Sequence, residues 1–158
     1  MNTTNLRYNH RVLKNRKIIL EVLIGDFDIE AMRSNRSLLY SDRDFHPSFN
    51  IFQDIRDANM DFTYDELFAY LQHLNESKVM AVRKTAILTT PDSVGKLSEW
   101  FEALDEAFPV NFKVFASYDD CIAWLSGGNP EPLKEAIEVL RQSPYSPYFN
   151  EPNSFTGF

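Results

Sequence analysis

PSFNIFQDIRDANMDFTYDELFAYLQHLN, residues 47–75, is the stretch on which the fold turns. Phe49, Ile51 and Gln53 alternate with Asn50, Phe52 and Asp54, so Ser48–Asp54 reads as a short strand with apolar residues on both faces, as a covered internal strand requires. The polar run Asp54, Arg56, Asp57, Ala58 and Asn59 is expected to end that strand, which makes Asp54–Thr63 a charged loop. Thr63 with Glu66 three residues on forms a capping box. It opens a helix whose apolar face is Tyr64, Leu67, Phe68, Leu71 and Leu74. Strand, charged loop and capped helix in succession point to an open α/β sheet.

Upstream, Leu6, Tyr8, His10 and Val12 alternate with Arg7, Asn9, Arg11 and Leu13, which suits an edge strand. After a turn at Lys14, Asn15 and Arg16, the run KIILEVLIGDF predicts a second strand with Ile18, Leu20, Val22 and Ile24 on one side, pairing as an antiparallel hairpin. Asp28 can cap a weakly amphipathic helix through Ile29, Met32 and Leu39. Arg36 fills that helix's remaining inward slot, and it is expected to snorkel to the surface, with an acidic partner as the alternative.

Downstream, KTAILTT (84–90) reads as a strand stopped by Pro91 and Asp92. Val94, Leu97, Phe101, Leu104 and Phe108 repeat at helical spacing over Asp92–Ala107, and Pro109 closes that helix. VNFKVF from Val110 is the last strand, and Ser117 caps a helix that stops at Gly127 and Gly128. The order is ββαβαβαβα, and the alternation after the hairpin predicts parallel later strands joined by right-handed crossovers in a mixed sheet of about five strands. Residues 1–128 are expected to form the α/β domain, and 129–158 a C-terminal helix (Glu131–Arg141) with a tail beyond it that holds three prolines and five aromatic residues. Proline-spaced aromatic groups suit an extended segment lying on its own domain or on a second subunit.

A chain of 158 residues with 44% hydrophobic side chains and 13 Phe holds one domain with a dense core. Its net charge of −7, with no basic patch, opposes binding to nucleic acid or to an anionic membrane. No apolar run approaches a membrane span, and MNTTNLRYNH lacks the apolar core of a signal peptide, so the expected location is the cytoplasm. A single cysteine, Cys121, makes no internal disulfide and reads as a buried, inert thiol on a helix face.

Four pieces together carry a family likeness: KIILEVLIGDF in the hairpin, PSFNIFQDIRDA before a capped helix, KTAILTTPDSVGKLSEWFEAL, and FKVFASYDDCIAWL. Over roughly Asn5–Ser126 the chain resembles the STAS superfamily, in particular the small stand-alone SpoIIAA-like bacterial proteins. The resemblance implies a mixed sheet with helices mainly on one face, and a non-enzymatic regulatory or protein-interaction role. Regulatory members of the superfamily carry a phosphorylatable serine in a DSSG-like loop after a central strand. The matching stretch here, Asp54–Thr63, has no serine and no glycine, and Thr63 is accounted for by its cap, so no phosphorylation is expected.

In open α/β sheets ligands sit beyond the carboxyl ends of parallel strands. That rim offers Asp54, Arg56 and Asp57 at the first end, Thr89, Thr90 and Ser93 at the second, and Ser117 at the third. With helix N-termini near Thr63, Ser93 and Ser117, it would suit a small anion or carboxylate. The plain alternative is that Asp54 and Asp57 hold Arg56 in an ion-paired loop while the hydroxyls cap helices. The scattered His10, His46 and His73 show neither nucleophile–base spacing nor a zinc pattern, so no catalytic residue, metal or cofactor is expected. Two functions stay open. One is a protein-interaction module, with self-association as a homodimer if the tail crosses over. The other is a module binding a carboxylate or lipid-like small molecule, for which Phe27, Phe45, Phe49, Phe62 and Tyr64 could line a pocket between helices and sheet.

Overall fold

Unbroken burial from Ile18 to Leu23 marks the second strand as a sheet interior with helices on both sides, and the rest of the molecule is built around it. The computed structural model describes residues 6–76 and 83–143. In chain order the elements are β1 (Arg7–Leu13), β2 (Ile18–Phe27), α1 (Ile29–Tyr40), β3 (Asn50–Met60), α2 (Tyr64–Glu76), β4 (Lys84–Leu88), α3 (Pro91–Ala107), β5 (Asn111–Phe115), α4 (Tyr118–Leu125) and α5 (Glu131–Gln142). The sheet order is β1-β2-β3-β4-β5, antiparallel between β1 and β2 and parallel thereafter. This is the mixed five-strand sheet that the sequence predicts.

Because each parallel strand is added on the same side of the one before, three right-handed crossovers place α1, α2 and α3 on one face. There Leu23, Ile55 and Ile87 pack against Met32, Leu67, Tyr70, Leu71 and Leu104. The two helices after the last strand are not crossovers, and they cover the other face. Cys121, Ile122 and Leu125 of α4 and Leu133 and Ile137 of α5 bury Ile18, Leu20, Val22, Phe52, Ala86 and Leu88. Helices α1 to α3 supply the one-sided cover that the family likeness implies, and α5, distinct in sequence, shares the second core. The aromatic tail lies outside the described residues beyond Ser143.

The charged stretch after Phe52 corrects one expectation. β3 does not stop at Asp54; it runs to Met60, so Arg56, Asp57 and Asn59 are strand residues and not loop residues. Its pairing with β4 ends at Asp54–Leu88, while its pairing with the longer β2 continues through Asp57–Ile24 to Met60–Phe27. Beyond Asp54, β3 is therefore an edge, and polar or charged side chains suit an edge facing water. The register shifts between Val22 and Ile24, so that Ile55 and Arg56 together oppose Leu23 in a bulge. One added residue brings Asp54 and Asp57 to the same face.

The caps form as the sequence implies. Asp28 accepts from the Ala31 amide at 2.8 Å, and Thr63 Oγ1 accepts from the Glu66 amide at 3.1 Å while Glu66 Oε1 accepts from the Thr63 amide at 2.8 Å. Ser117 Oγ accepts from the Asp120 amide at 3.4 Å.

Candidate functional site

The carboxyl rim proposed from sequence is divided between the two faces of the sheet. Asp54, Arg56, Asp57 and Ser117 belong to the α4–α5 face, whereas Thr63, Thr90 and Ser93 open α2 and α3 on the other. The fully buried Asp54 accepts from Arg56 Nε at 3.0 Å, from Arg56 Nη2 at 2.7 Å and from Arg141 Nη1 at 3.1 Å. Arg141 also donates to Asp57 at 2.7 Å. Arg56 lies 4.6 Å from the Tyr118 ring centre and reaches Glu138 at 3.3 Å, and Tyr118 donates its hydroxyl proton to Glu138.

Each of the two guanidiniums is paired with carboxylates, and the three carboxylates leave the cluster one negative charge in excess. The hydrogen bond to Asp54 holds the Arg56 guanidinium further above its ordinary range, and the Tyr118 hydroxyl holds the Glu138 carboxyl below its own. The network clasps the β3 bulge to α4 and α5, which is close to the plain ion-pair reading. The difference is that Asp57 pairs with Arg141 and not with Arg56. Thr63 serves as a cap, and the Thr90 hydroxyl donates to Ser93 Oγ at 3.3 Å.

A different site emerges on the α1–α3 face. There the sheet and the three helices enclose a cleft of about 100 Å³. One end is apolar, with Met60 closing the central strand, Phe62 just past it, and Leu97 and Trp100 from α3. The other end lies toward the amino ends of β4 and β5, where Arg36 and Tyr40 in the last turns of α1 meet Arg83, Thr85 and Asn111. Of the five aromatic residues proposed as a lining, only Phe62 lines it. Phe27 is buried in the core, Phe45 and Phe49 pack around Ile19 and Leu39, and Tyr64 stacks on Phe68 and Trp100.

Behind the polar end is Glu21, a fully buried carboxylate on β2. It accepts from Arg36 Nη2 at 2.7 Å, from Gln53 Nε2 at 3.1 Å and from the Tyr8 hydroxyl at 2.5 Å. Arg36 thus takes an acidic partner, which corrects the expectation that it snorkels. A guanidinium on an inward slot beside a buried carboxylate gains more from the ion pair than from a partial escape to water. Burial by itself would push the Glu21 carboxyl up, but Arg36 outweighs it, helped by Tyr8 and Gln53, and the pKa falls below the usual carboxylate value. Burial likewise opposes the charge on Arg36, and Glu21 together with Tyr70, Tyr8 and Tyr40 overrides it, holding the guanidinium above its ordinary range.

Two donors at this end remain unmatched among the described residues, Arg36 Nη1 and the Tyr70 hydroxyl. Burial pushes Tyr70 up to about 12. Arg83 donates to the Pro47 carbonyl at 2.7 Å, and burial together with repulsion from Arg36 lowers its pKa. Among the described residues no histidine, cysteine, serine or carboxylate lines the cleft. Cys121, on the opposite face, is buried, and burial aided by Asp54 pushes its thiol up to about 12, as an inert core cysteine requires. Among the described residues no cluster of three His, Cys, Asp or Glu is placed to hold a metal, and no helix is long and apolar enough to cross a membrane.

No family model and no curated protein matches the chain. Among solved structures it is similar to a crystal structure from Shewanella loihica PV-4, an uncharacterized DUF3478-family protein with a SpoIIAA-like fold. The TM-score is 0.53 at 18% identity, over 79% of this chain and 98% of that one. The fold is SpoIIAA-like. At that identity the likeness concerns the architecture and leaves the ligand to the residues themselves. Within this SpoIIAA-like sheet the residue that the sequence reading passed over is Glu21. Its signal was present, since a lone carboxylate in the otherwise apolar IILEVLI is hard to bury without a basic partner nearby. Arg83 and Asn111 gave no such signal, because they come to the same cleft as Arg36 only through tertiary packing.

Proposed function

We propose that this chain is a non-catalytic SpoIIAA-like module that takes a small amphipathic molecule into the cleft between the sheet and α1–α3. The observation that carries this reading is an apolar cleft ending on inward polar groups, with Arg36 Nη1 and the Tyr70 hydroxyl lacking partners among the described residues. A cleft of this kind is the usual form of a small-molecule site. Docking of a protein partner or of a second copy has less support. Among the described residues Val139 is the one large apolar side chain left exposed, and a single residue makes no docking patch.

The test is a titration monitored by thermal unfolding and methyl NMR, with hexanoate and 1-hexanol as probes. Saturable shifts are expected at Leu71, Ile87 and Leu97, which line the cleft. At a hundredfold excess over Kd the stabilisation is about 2.7 kcal/mol, which raises Tm by about 5–10 °C for a chain of this size. Leu97→Trp, at a half-buried position, fills the cleft and should abolish both effects in a folded protein. Failure of both probes to give saturable shifts would overturn the reading.

A further inference from the structure

We infer that the occupant of the cleft is a monocarboxylate with a short apolar tail, its carboxylate bound between Arg36 and Arg83. This rests on the cleft being a ligand site at all.

Charge selects the head group. At the polar end two guanidiniums, Arg36 and Arg83, face one carboxylate, Glu21, which leaves a single positive charge in a protein of net charge −7. A single negative charge balances it. Glu21 engages Arg36 through Nη2, so Nη1 is unmatched among the described residues; Tyr70 adds a neutral donor, and Arg83 reaches the Pro47 carbonyl and Tyr40. So small a number of donors suits the two oxygens of a carboxylate. A phosphate monoester carries nearly two charges and three acceptor oxygens, and it would exceed both the charge and the donors present. Burial first, and Arg36 next, hold the Arg83 guanidinium below its ordinary range, which an added anion beside it would relieve.

Size limits the tail. A volume of about 100 Å³ is less than the ~150 Å³ of a cavity that accepts a benzene ring, so the enclosed part is a chain of a few carbons and not a long acyl chain. Within that limit each buried methylene strengthens binding about fourfold.

The experiment compares hexanoate, 1-hexanol, hexylamine and hexyl phosphate by calorimetry against the full chain and against Arg83→Gln, with butanoate to dodecanoate as a length series. Hexanoate is expected to bind at least tenfold more tightly than 1-hexanol. Arg83→Gln should remove most of that advantage while leaving 1-hexanol unchanged. Arg83 sits at the cleft edge outside the regular elements, so its replacement leaves the Glu21–Arg36 pair in place. Affinity should climb from butanoate and level off by about octanoate. Equal binding of hexanoate and 1-hexanol, a preference for hexyl phosphate, or affinity that keeps climbing to dodecanoate would overturn the inference and leave the cleft reading intact. Absence of binding by every probe would overturn both.

Discussion

Among the described residues Glu21 and Arg36 are the most deeply buried ion pair and so the costliest to separate, one partner being fully buried and the other 12% exposed. Removing one member strands the other in a medium that solvates it poorly, at about 3–5 kcal/mol. Glu21→Gln should therefore destabilise by that order in denaturant unfolding. The double variant Glu21→Gln with Arg36→Met should recover part of the loss, since no charge is then left buried alone. The pair also sets a pH dependence. Glu21 has a depressed folded pKa, so its stabilisation is complete above the unfolded value of about 4.3 and is lost as pH falls through the folded value. Glu138, depressed chiefly by the Tyr118 hydrogen bond, works in the same direction from a more exposed position. Acid titration of the unfolding midpoint should show the parent losing stability below about pH 4 and the double variant losing less. Equal acid sensitivity in the two would remove Glu21 as the cause.

Among the elements, β3 shows both how the fold can be read in advance and where that reading fails. Its interior position, the capping box at Thr63 and Glu66 and the amphipathic run of α3 were legible because each depends on residues within a turn or two of one another. The end of the strand was not. It depends on β4 stopping at Leu88 while β2 runs on to Phe27, and nothing within DIRDANM records the lengths of its neighbours. The cleft was illegible for the same reason: three helices and the sheet assemble its lining from residues as far apart as Arg36 and Asn111. What DIRDANM does carry is the clasp. Asp54→Asn removes the charge that Arg56 and Arg141 share, and it should lower stability by about 2–3 kcal/mol, less than a fully buried pair because both arginines are about a quarter exposed. Hexanoate binding should not change. A loss of binding with stability intact would restore the carboxyl rim as the ligand site.

At the scale of the whole molecule, the strand order dictates the need for α5. Three crossovers moving in one direction cover only one face, so an apolar strand such as β2 can be buried on its second face only by helices C-terminal to β5. Helix α4 covers Phe52, Ala86 and Leu88 beside β4, and α5 covers the β1–β2 side through Leu133 and Ile137, both essentially inaccessible to water. Full burial of two such side chains is worth about 2–3 kcal/mol each. The total approaches the lower end of the 5–15 kcal/mol by which domains of ordinary size are stable. Residues 1–128 are therefore expected to need 131–142 in order to fold. A chain ending at Gly128 would expose Ile18, Leu20 and Val22 and release Arg56 from Glu138 and Asp54 from Arg141. That truncated chain should unfold at much lower denaturant, or collect in the insoluble fraction, and adding residues 129–143 as a separate peptide should restore part of the loss. If the truncated chain melted cooperatively within a few degrees of the parent, α5 would be a true appendage and residues 1–128 a domain complete in themselves.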